Sequence, residues 1–344
     1  MVELIDKSAP EESLLKVLGK AGLQNAGVQS KLLRGGANNK VLAVETTEGK
    51  YLAKFYYRED SGTRNRLQAE FSFISYAWEI GIRCVPKPIF FSPEENVGIY
   101  EFIAGRKVSE AELTAGHVMQ AAGFIRALND RSDRDENLPL AAEACFTLQE
   151  HFSLIDRRIQ RLIELPLNSQ LDRELSDFVR GMERHWTGGK EELSRHTIRF
   201  EELETADRCI SPSDFGMHNA LLRESGELCF LDFEYAGWDD PAKLVSDFFC
   251  QPAVPVGMAH FENFATEALA YSKNRLALID RARLLYPVFA IKWCCIMLNE
   301  FLPEVARRRS FADAALDIEA SRLRQLGKAR NFLHHSIGVR DGLH

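Results

Sequence analysis

The chain has 344 residues, 45% hydrophobic and 27% charged, an ordinary balance for a globular protein large enough for two lobes. Its formal net charge of -7 argues against a general nucleic-acid binder, does not favour an anionic membrane surface, and mildly suits a neutral or cationic substrate. Seven cysteines with no Cys-x-x-Cys spacing, Cys294 and Cys295 being the one close pair, point to free thiols in a reducing compartment.

The opening MVELIDKSAPEESLLKVLGKAG carries acids early and has no signal-like apolar core, so no export signal is expected and a cytoplasmic location follows. Ser8 to Glu12 marks a helix start, with Leu14, Leu15, Val17 and Leu18 on one stripe. Val28 to Leu33, Val41 to Thr46 and Tyr51 to Tyr57 predict an antiparallel meander of three strands. Between the first two lie Gly35, Gly36, Asn38 and Asn39, where glycines let backbone amides approach an anion closely, although such a pair more often only closes a hairpin. Lys54 stands in the third strand, and the helix expected from Arg66 to Ile80, with Leu67, Phe71, Ile74 and Trp78 along one face, offers Glu70 as its partner.

Pro86 and Pro88 precede two further strands, Ile89 to Ser92 and Gly98 to Ile103, which complete a five-stranded sheet. Beyond residue 104 the pattern turns helical, starting with Leu113, Val118, Met119, Ala122, Ile125 and Leu128, so residues 1–103 and 104–344 are read as two lobes. His151, His185 and His196 show no metal-ligand spacing and are read as surface or cap residues. Asp240-Pro241 reads as an N-cap and first-turn proline of a helix running to Phe249. The apolar run Leu284 to Leu302 is broken by Pro287, Lys292, Asn299 and Glu300, which suits a buried helix better than a bilayer span. Arg307, Arg308 and Arg309 read as a solvated helix end, and a further helix is expected from Ser310 to Leu333.

The most informative stretch is Ile210 to Phe249. Asp214 is followed five residues later by Asn219, and Asp232 ends the apolar run Leu228 to Asp232 after the turn Glu224-Ser225-Gly226-Glu227. Such a hairpin brings Asp214 and Asn219 near Asp232. Singly, each of these residues is more often a turn former or a strand-end acid. Jointly, a loop carboxylate, a loop amide and a strand-end carboxylate are the parts needed to activate a hydroxyl and hold magnesium against nucleotide phosphates.

In this order, Gly35-Gly36, Lys54, Glu70, Asp214 to Asn219 and Asp232-Phe-Glu resemble the aminoglycoside phosphotransferase and choline kinase-like family. Leu231 to Trp238 looks like the metal-binding segment of choline and ethanolamine kinases, and Asp239 to Ala242 like the Gly-Asp-Pro segment of the phosphotransferases. The resemblance implies an α+β, protein kinase-like two-lobe fold: a small antiparallel sheet lobe with one main helix, and a larger, mostly helical lobe. It also implies a nucleotide site formed by Gly35, Gly36, Asn39, Lys54, Glu70 and a hinge at Glu101 to Ile103. Asp214 would be the catalytic base, with Asn219 and Asp232 the magnesium ligands and ATP and Mg2+ the cofactors. The chain departs from the family in three places: Pro212 stands where a histidine is common, Asn38 precedes Asn39 in place of Ser or Thr, and Leu244 replaces an aspartate, with Asp247 one turn later.

The leading expectation is a kinase for a hydroxyl of a small molecule such as an amino sugar, sugar, polyol or choline-like amino alcohol. Glu234, Trp238, Asp239, Lys292 and Trp293 are candidate acceptor contacts. The alternative is a nucleotide-binding pseudokinase with a regulatory or scaffolding role, motivated by Pro212 and Asn38. No partner beyond the nucleotide and acceptor is expected, neither nucleic acid nor membrane, and the oligomeric state is left open.

Overall fold

In a computed structural model, residues 12–23, 27–33, 38–58, 64–131, 137–196, 202–312 and 316–339 are described. Gly35 and Gly36 therefore lie outside the described residues. Helix α1 (Glu12–Lys20) buries Leu14, Val17 and Leu18 on an antiparallel sheet of β1 (Gln29–Leu33), β2 (Lys40–Glu45), β3 (Lys50–Phe55), β4 (Pro88–Ser92) and β5 (Val97–Glu101). The strand order is β1-β2-β3-β5-β4, so the expected meander is present, while β5 stops at Glu101, paired with Tyr51, short of Ile103. Lys54 is opposite Gly98 in the register, and a Cβ at Gly98 would meet the Tyr100 ring at 2.6 Å. The missing side chain lets Tyr100, on the same face of β5, fold back over the strand.

Helix α2 (Arg66–Glu79) begins where the Asn65 side chain accepts from the Gln68 backbone N–H. It fully buries Leu67, Glu70, Phe73, Ile74 and Ala77, whereas Phe71 and Trp78 of the expected stripe are half-buried. The stripe is displaced because α2 is covered twice. Phe71 packs on Phe91 at 4.5 Å within the sheet lobe, and Phe73 packs on Phe233 at 4.7 Å across the cleft. Phe73, Tyr100 and Phe233 thus share one continuous core with the helical lobe, while α1 and the outer sheet face form a second, smaller core.

The second lobe contains β6 (Arg106–Lys107), α3 (Ala115–Asn129), α4 (Leu148–Ile163), α5 (Gln170–His196), β7 (Cys209–Ser211), the hairpin β8 (Ala220–Leu222) and β9 (Leu228–Phe230), and β10 (Gly237–Asp239). These strands form a β6-β8-β9 sheet and a β7-β10 pair. Gly237 is required in β10, because its φ is +156 and a Cβ would lie 2.1 Å from the Pro139 carbonyl. Then come α6 (Pro241–Cys250), α7 (Phe261–Ala268), α8 (Arg275–Leu298), α9 (Pro303–Ala312) and α10 (Ile318–Val339). The helix expected over Ser310 to Leu333 is thus divided between α9 and α10.

Helix α8 runs unbroken through Pro287 and packs on α4, α6 and α10. By length and composition it could cross a membrane, but 78% of its most apolar window is buried inside the protein. Its lysine, Lys292, is neutralised in place by both oxygens of Asp247, each at 3.1 Å.

His151 overturns its surface reading, since it is 1% exposed and lies 3.1 Å from Asp240 Oδ2. The same oxygen accepts from Arg281 Nε at 3.0 Å and Nη2 at 2.7 Å, while Oδ1 caps α6 through the Ala242 N–H. Burial would raise the Asp240 carboxyl, but the His151 hydrogen bond and the Arg281 charge hold it at about 2. Breaking one partner of a buried pair strands a charge. Arg281→Met is therefore expected to destabilise the protein by about 3–5 kcal/mol, seen as a lower urea midpoint. An unchanged midpoint would contradict the assigned role.

Candidate active site

The cleft between the lobes is organised around one ammonium group. Lys54 is 6% exposed, and its Nζ lies 2.6 Å from Glu70 Oε2 and 2.5 Å from Asp232 Oδ1. Burial alone would depress Lys54, but the carboxylates of Asp232, Glu70 and Glu234 outweigh it and hold the lysine well above its ordinary range. Burial raises Glu70 despite Lys54, because one ammonium is divided between two acids. Asp232 also feels burial, yet Lys54 keeps it below the usual carboxylate value. Tyr56 donates to the same Glu70 oxygen at 2.7 Å, and its hydroxyl meets that of Tyr100 at 2.8 Å, so Glu70 is fixed from two sides.

Facing this pair is the loop from Pro212 to Asn219. Asn219 Nδ2 donates to the Asp214 carbonyl at 3.0 Å, and the Leu231 N–H donates to the Asn219 carbonyl at 2.8 Å. The β8-β9 hairpin, in which Ala220 pairs with Phe230, therefore sets Asn219 and Asp232 at its open end. His218 Nε2 lies 3.3 Å from Asp214 Oδ1 and orients that carboxylate. Lys107 Nζ donates to the His218 carbonyl at 2.6 Å from the neighbouring strand. Ser213 and Asp232 both adopt left-handed backbone, each with φ 67, and such strain persists only where surrounding contacts enforce it.

Beneath the loop lies a buried ionic network that the sequence did not disclose as such. Lys243 Nζ donates to Ser213 Oγ at 2.8 Å and to Asp239 Oδ2 at 2.5 Å, and lies 3.4 Å from Asp247. Burial would lower Lys243, but Asp239 and Asp247 hold it raised. Asp247 also accepts from Trp293 Nε1 at 2.7 Å. Asp239, Lys292 and Trp293 thus belong to the floor of the loop and not to an acceptor pocket, because their polar atoms are already mutually satisfied and buried. Lys243 anchors the loop in the region of the Pro212 and Leu244 departures. Its spacing of four residues from Asp239 at the end of β10 and from Asp247 on α6 was the readable signal. Ser213→Ala should lower kcat about three- to tenfold, the worth of one hydrogen bond, with little change in nucleotide KM. Unaltered kcat would count against Lys243 as an anchor.

Asn38 and Asn39, just ahead of β2, meet the same cleft. Asn39, 4% exposed, donates to Glu234 Oε2 at 2.7 Å and accepts from the Tyr57 N–H at 3.3 Å. Asn38 donates to Glu234 Oε1 at 3.1 Å and to the Tyr235 hydroxyl at 3.2 Å. Glu234 is 1% exposed and fixes Asn39 beside the cleft. Arg64 closes this side by donating to the carbonyls of Leu140 at 2.7 Å, Glu234 at 3.1 Å and Ala236 at 2.7 Å. At the far end, Glu101 finishes β5 with its side chain accepting from the Lys87 N–H at 3.1 Å, and Ile103 is buried.

The donor set suits a hard divalent cation. The Asp232 side chain is 43% exposed, and Asn219 spends its amide nitrogen on the Asp214 carbonyl, which leaves its amide oxygen as the atom a cation could take. Among the described residues no group of three or more His, Cys, Asp or Glu converges as a metal site. One carboxylate and one amide oxygen are what a magnesium ion uses when phosphates and water complete its shell.

The phosphotransferase enzyme family matches residues 30–271. Among solved structures, the fold is similar to choline kinase from Cryptosporidium parvum Iowa II, with TM-score 0.61, 14% identity and coverage of 96% of this chain and 97% of that one. Choline kinase from Streptococcus pneumoniae follows at TM-score 0.60 and 15% identity, covering 94% and 99%. Spectinomycin phosphotransferase in complex with ADP and spectinomycin gives TM-score 0.60 and 14% identity, covering 95% and 98%. No curated protein matches the chain. The chain belongs to the phosphotransferase enzyme family and has the α+β, two-lobed kinase-like fold of these enzymes.

Proposed function

We propose that the protein is an ATP- and Mg2+-dependent kinase that moves the γ-phosphate to a hydroxyl of a small molecule. The observation that supports this reading is Lys54 held between Glu70 and Asp232, with Asp232 following Leu231, whose N–H bonds the carbonyl of Asn219, and the Asn219 amide in turn bonded to Asp214. Residues 1–103 would hold the nucleotide, with Glu101 to Ile103 at the adenine and Asn39 on the phosphate side. Residues 104–344 would supply the catalytic loop and acceptor site. The seven free cysteines suit the reducing compartment that a cytoplasmic location provides.

Lys54, fixed by Glu70, neutralises phosphate charge. Asp214, oriented by His218, accepts the proton of the acceptor hydroxyl as it attacks. Asn219 and Asp232 would hold the magnesium, which when bound draws charge from the phosphate oxygens. Phosphoryl transfer consists largely of such positioning and charge neutralisation, so these groups suffice for the chemistry. Choline kinase and aminoglycoside phosphotransferases among the neighbours put choline-like alcohols and amino sugars on the panel of acceptors, and sugars and polyols extend it. ATP consumption measured against that panel tests the reading. Acceptor-dependent ADP formation is expected, whereas nucleotide binding without transfer to any acceptor would favour a pseudokinase.

A further inference from the structure

We propose that Glu234 is a positioning residue, which draws Asn38 and Asn39 of the sheet lobe onto the Asp232 segment and so fixes where the terminal phosphates of the nucleotide rest. The proposal rests on the kinase reading above and deepens it. Three successive residues make the junction: Asp232 takes Lys54 at 2.5 Å, Phe233 packs on Phe73 at 4.7 Å, and Glu234 accepts from Asn38 through Oε1 at 3.1 Å and from Asn39 through Oε2 at 2.7 Å. Every one of these partners belongs to the sheet lobe. Arg64, from the same side, donates to the Glu234 carbonyl at 3.1 Å, so the residue is held by main chain and side chain together.

Glu234 and Asn39 are both buried, so bonds within the protein replace those that water would make. Burying a carboxylate is costly unless its oxygens are engaged, and here each oxygen has its own amide donor. The Asn39 amide oxygen is engaged as well, accepting from the Tyr57 N–H at 3.3 Å. In the register of β2 and β3, Lys40 pairs with Phe55 and Val41 with Lys54, which puts the two asparagines beside the strand end that carries Lys54. Glu234 therefore sets the spacing between Asn39 and the Asp232 carboxylate, the span that nucleotide phosphates have to bridge. Asn38, one of the three departures of the chain from its family, completes the clasp. Its amide nitrogen has two donors and serves Glu234 and the Tyr235 hydroxyl, at 3.2 Å, together, which the single donor of a Ser or Thr hydroxyl does not do.

The test inverts the polarity of this contact. Glu234→Gln sets an amide donor against an amide donor, and Asn38→Asp sets carboxylate against carboxylate, whereas the double variant Asn38→Asp/Glu234→Gln restores one donor and one acceptor with the net charge unchanged. Calorimetry on the three variants and wild type gives Kd for ATP with magnesium and for adenosine, which lacks the phosphates. Each single variant should weaken ATP about ten- to hundredfold with adenosine unchanged, and the double variant should return ATP to within about threefold of wild type. ATP affinity that stays lost in the double variant, or that falls in step with adenosine, would overturn the proposal, as would single variants that bind ATP like wild type. Asn38→Ala, at a half-buried position, keeps the test open should Glu234→Gln not fold. There, ATP weakened about three- to tenfold with adenosine unchanged supports the clasp, and unaltered ATP overturns it. Failure of phosphate transfer to every acceptor bears on the kinase reading alone, because these measurements need no acceptor.

Discussion

Asp214→Asn is expected to lower kcat by about 100- to 10,000-fold, the range that a positioned general base contributes. The substitution preserves the shape of the side chain and removes only its capacity to accept a proton. His218 Nε2 would still meet the group at position 214, and the Asn219 amide bonds the backbone carbonyl there, which the change does not touch. Lys54, Asn219 and Asp232 keep their places, so nucleotide affinity should be little altered. Turnover and nucleotide titration measured on the same preparation separate the two effects. Near-normal turnover would remove Asp214 from the role of base.

The second large effect belongs to Asp232→Ala. Asp232 is held in a left-handed conformation at the end of the β8-β9 hairpin, with Phe233 buried between the lobes and Lys54 at 2.5 Å. Alanine removes the carboxylate of the proposed metal pair and leaves Lys54 with Glu70 as its remaining close acid. Magnesium-dependent nucleotide affinity should fall by at least about 10–100-fold, since losing even a group that only supports a metal ligand costs that much. Magnesium-independent binding should change far less. A magnesium titration identical to that of wild type would contradict the assignment.

Much of the frame was legible because local chemistry and tertiary demand agree. The sheet lobe was readable from turn residues and alternation, and its strand ends moved by only a few positions. Lys54 with Glu70, and Asp214 with Asn219 and Asp232, were readable as an ordered set of polar residues, and the fold brings both groups to one cleft. Less legible was anything that depends on which polar groups satisfy one another far apart in the chain. His151 looks like a surface histidine until α6 and α8 bring Asp240 and Arg281 to it. Trp293 and Lys292 look available for a ligand until Asp247 engages both. Glu234 looks available to an acceptor until Asn38 and Asn39 close over it. Arg309 looks solvated until Glu300 engages its guanidinium. In each case burial makes an unpaired polar group costly, and only the tertiary fold reveals the partner that offsets the cost.

The central claim is transfer of phosphate from a magnesium-bound nucleotide to a small-molecule hydroxyl through Asp214. Its most direct test is mass-spectrometric detection of phosphorylated acceptor, with ADP quantified in parallel, over the acceptor panel for wild type and Asp214→Asn. The expected result is acceptor phosphate and ADP formed in equal amounts by wild type, dependent on magnesium and nearly abolished in the variant. Nucleotide binding without phosphate reaching any acceptor, or transfer by Asp214→Asn at the wild-type rate, would contradict it.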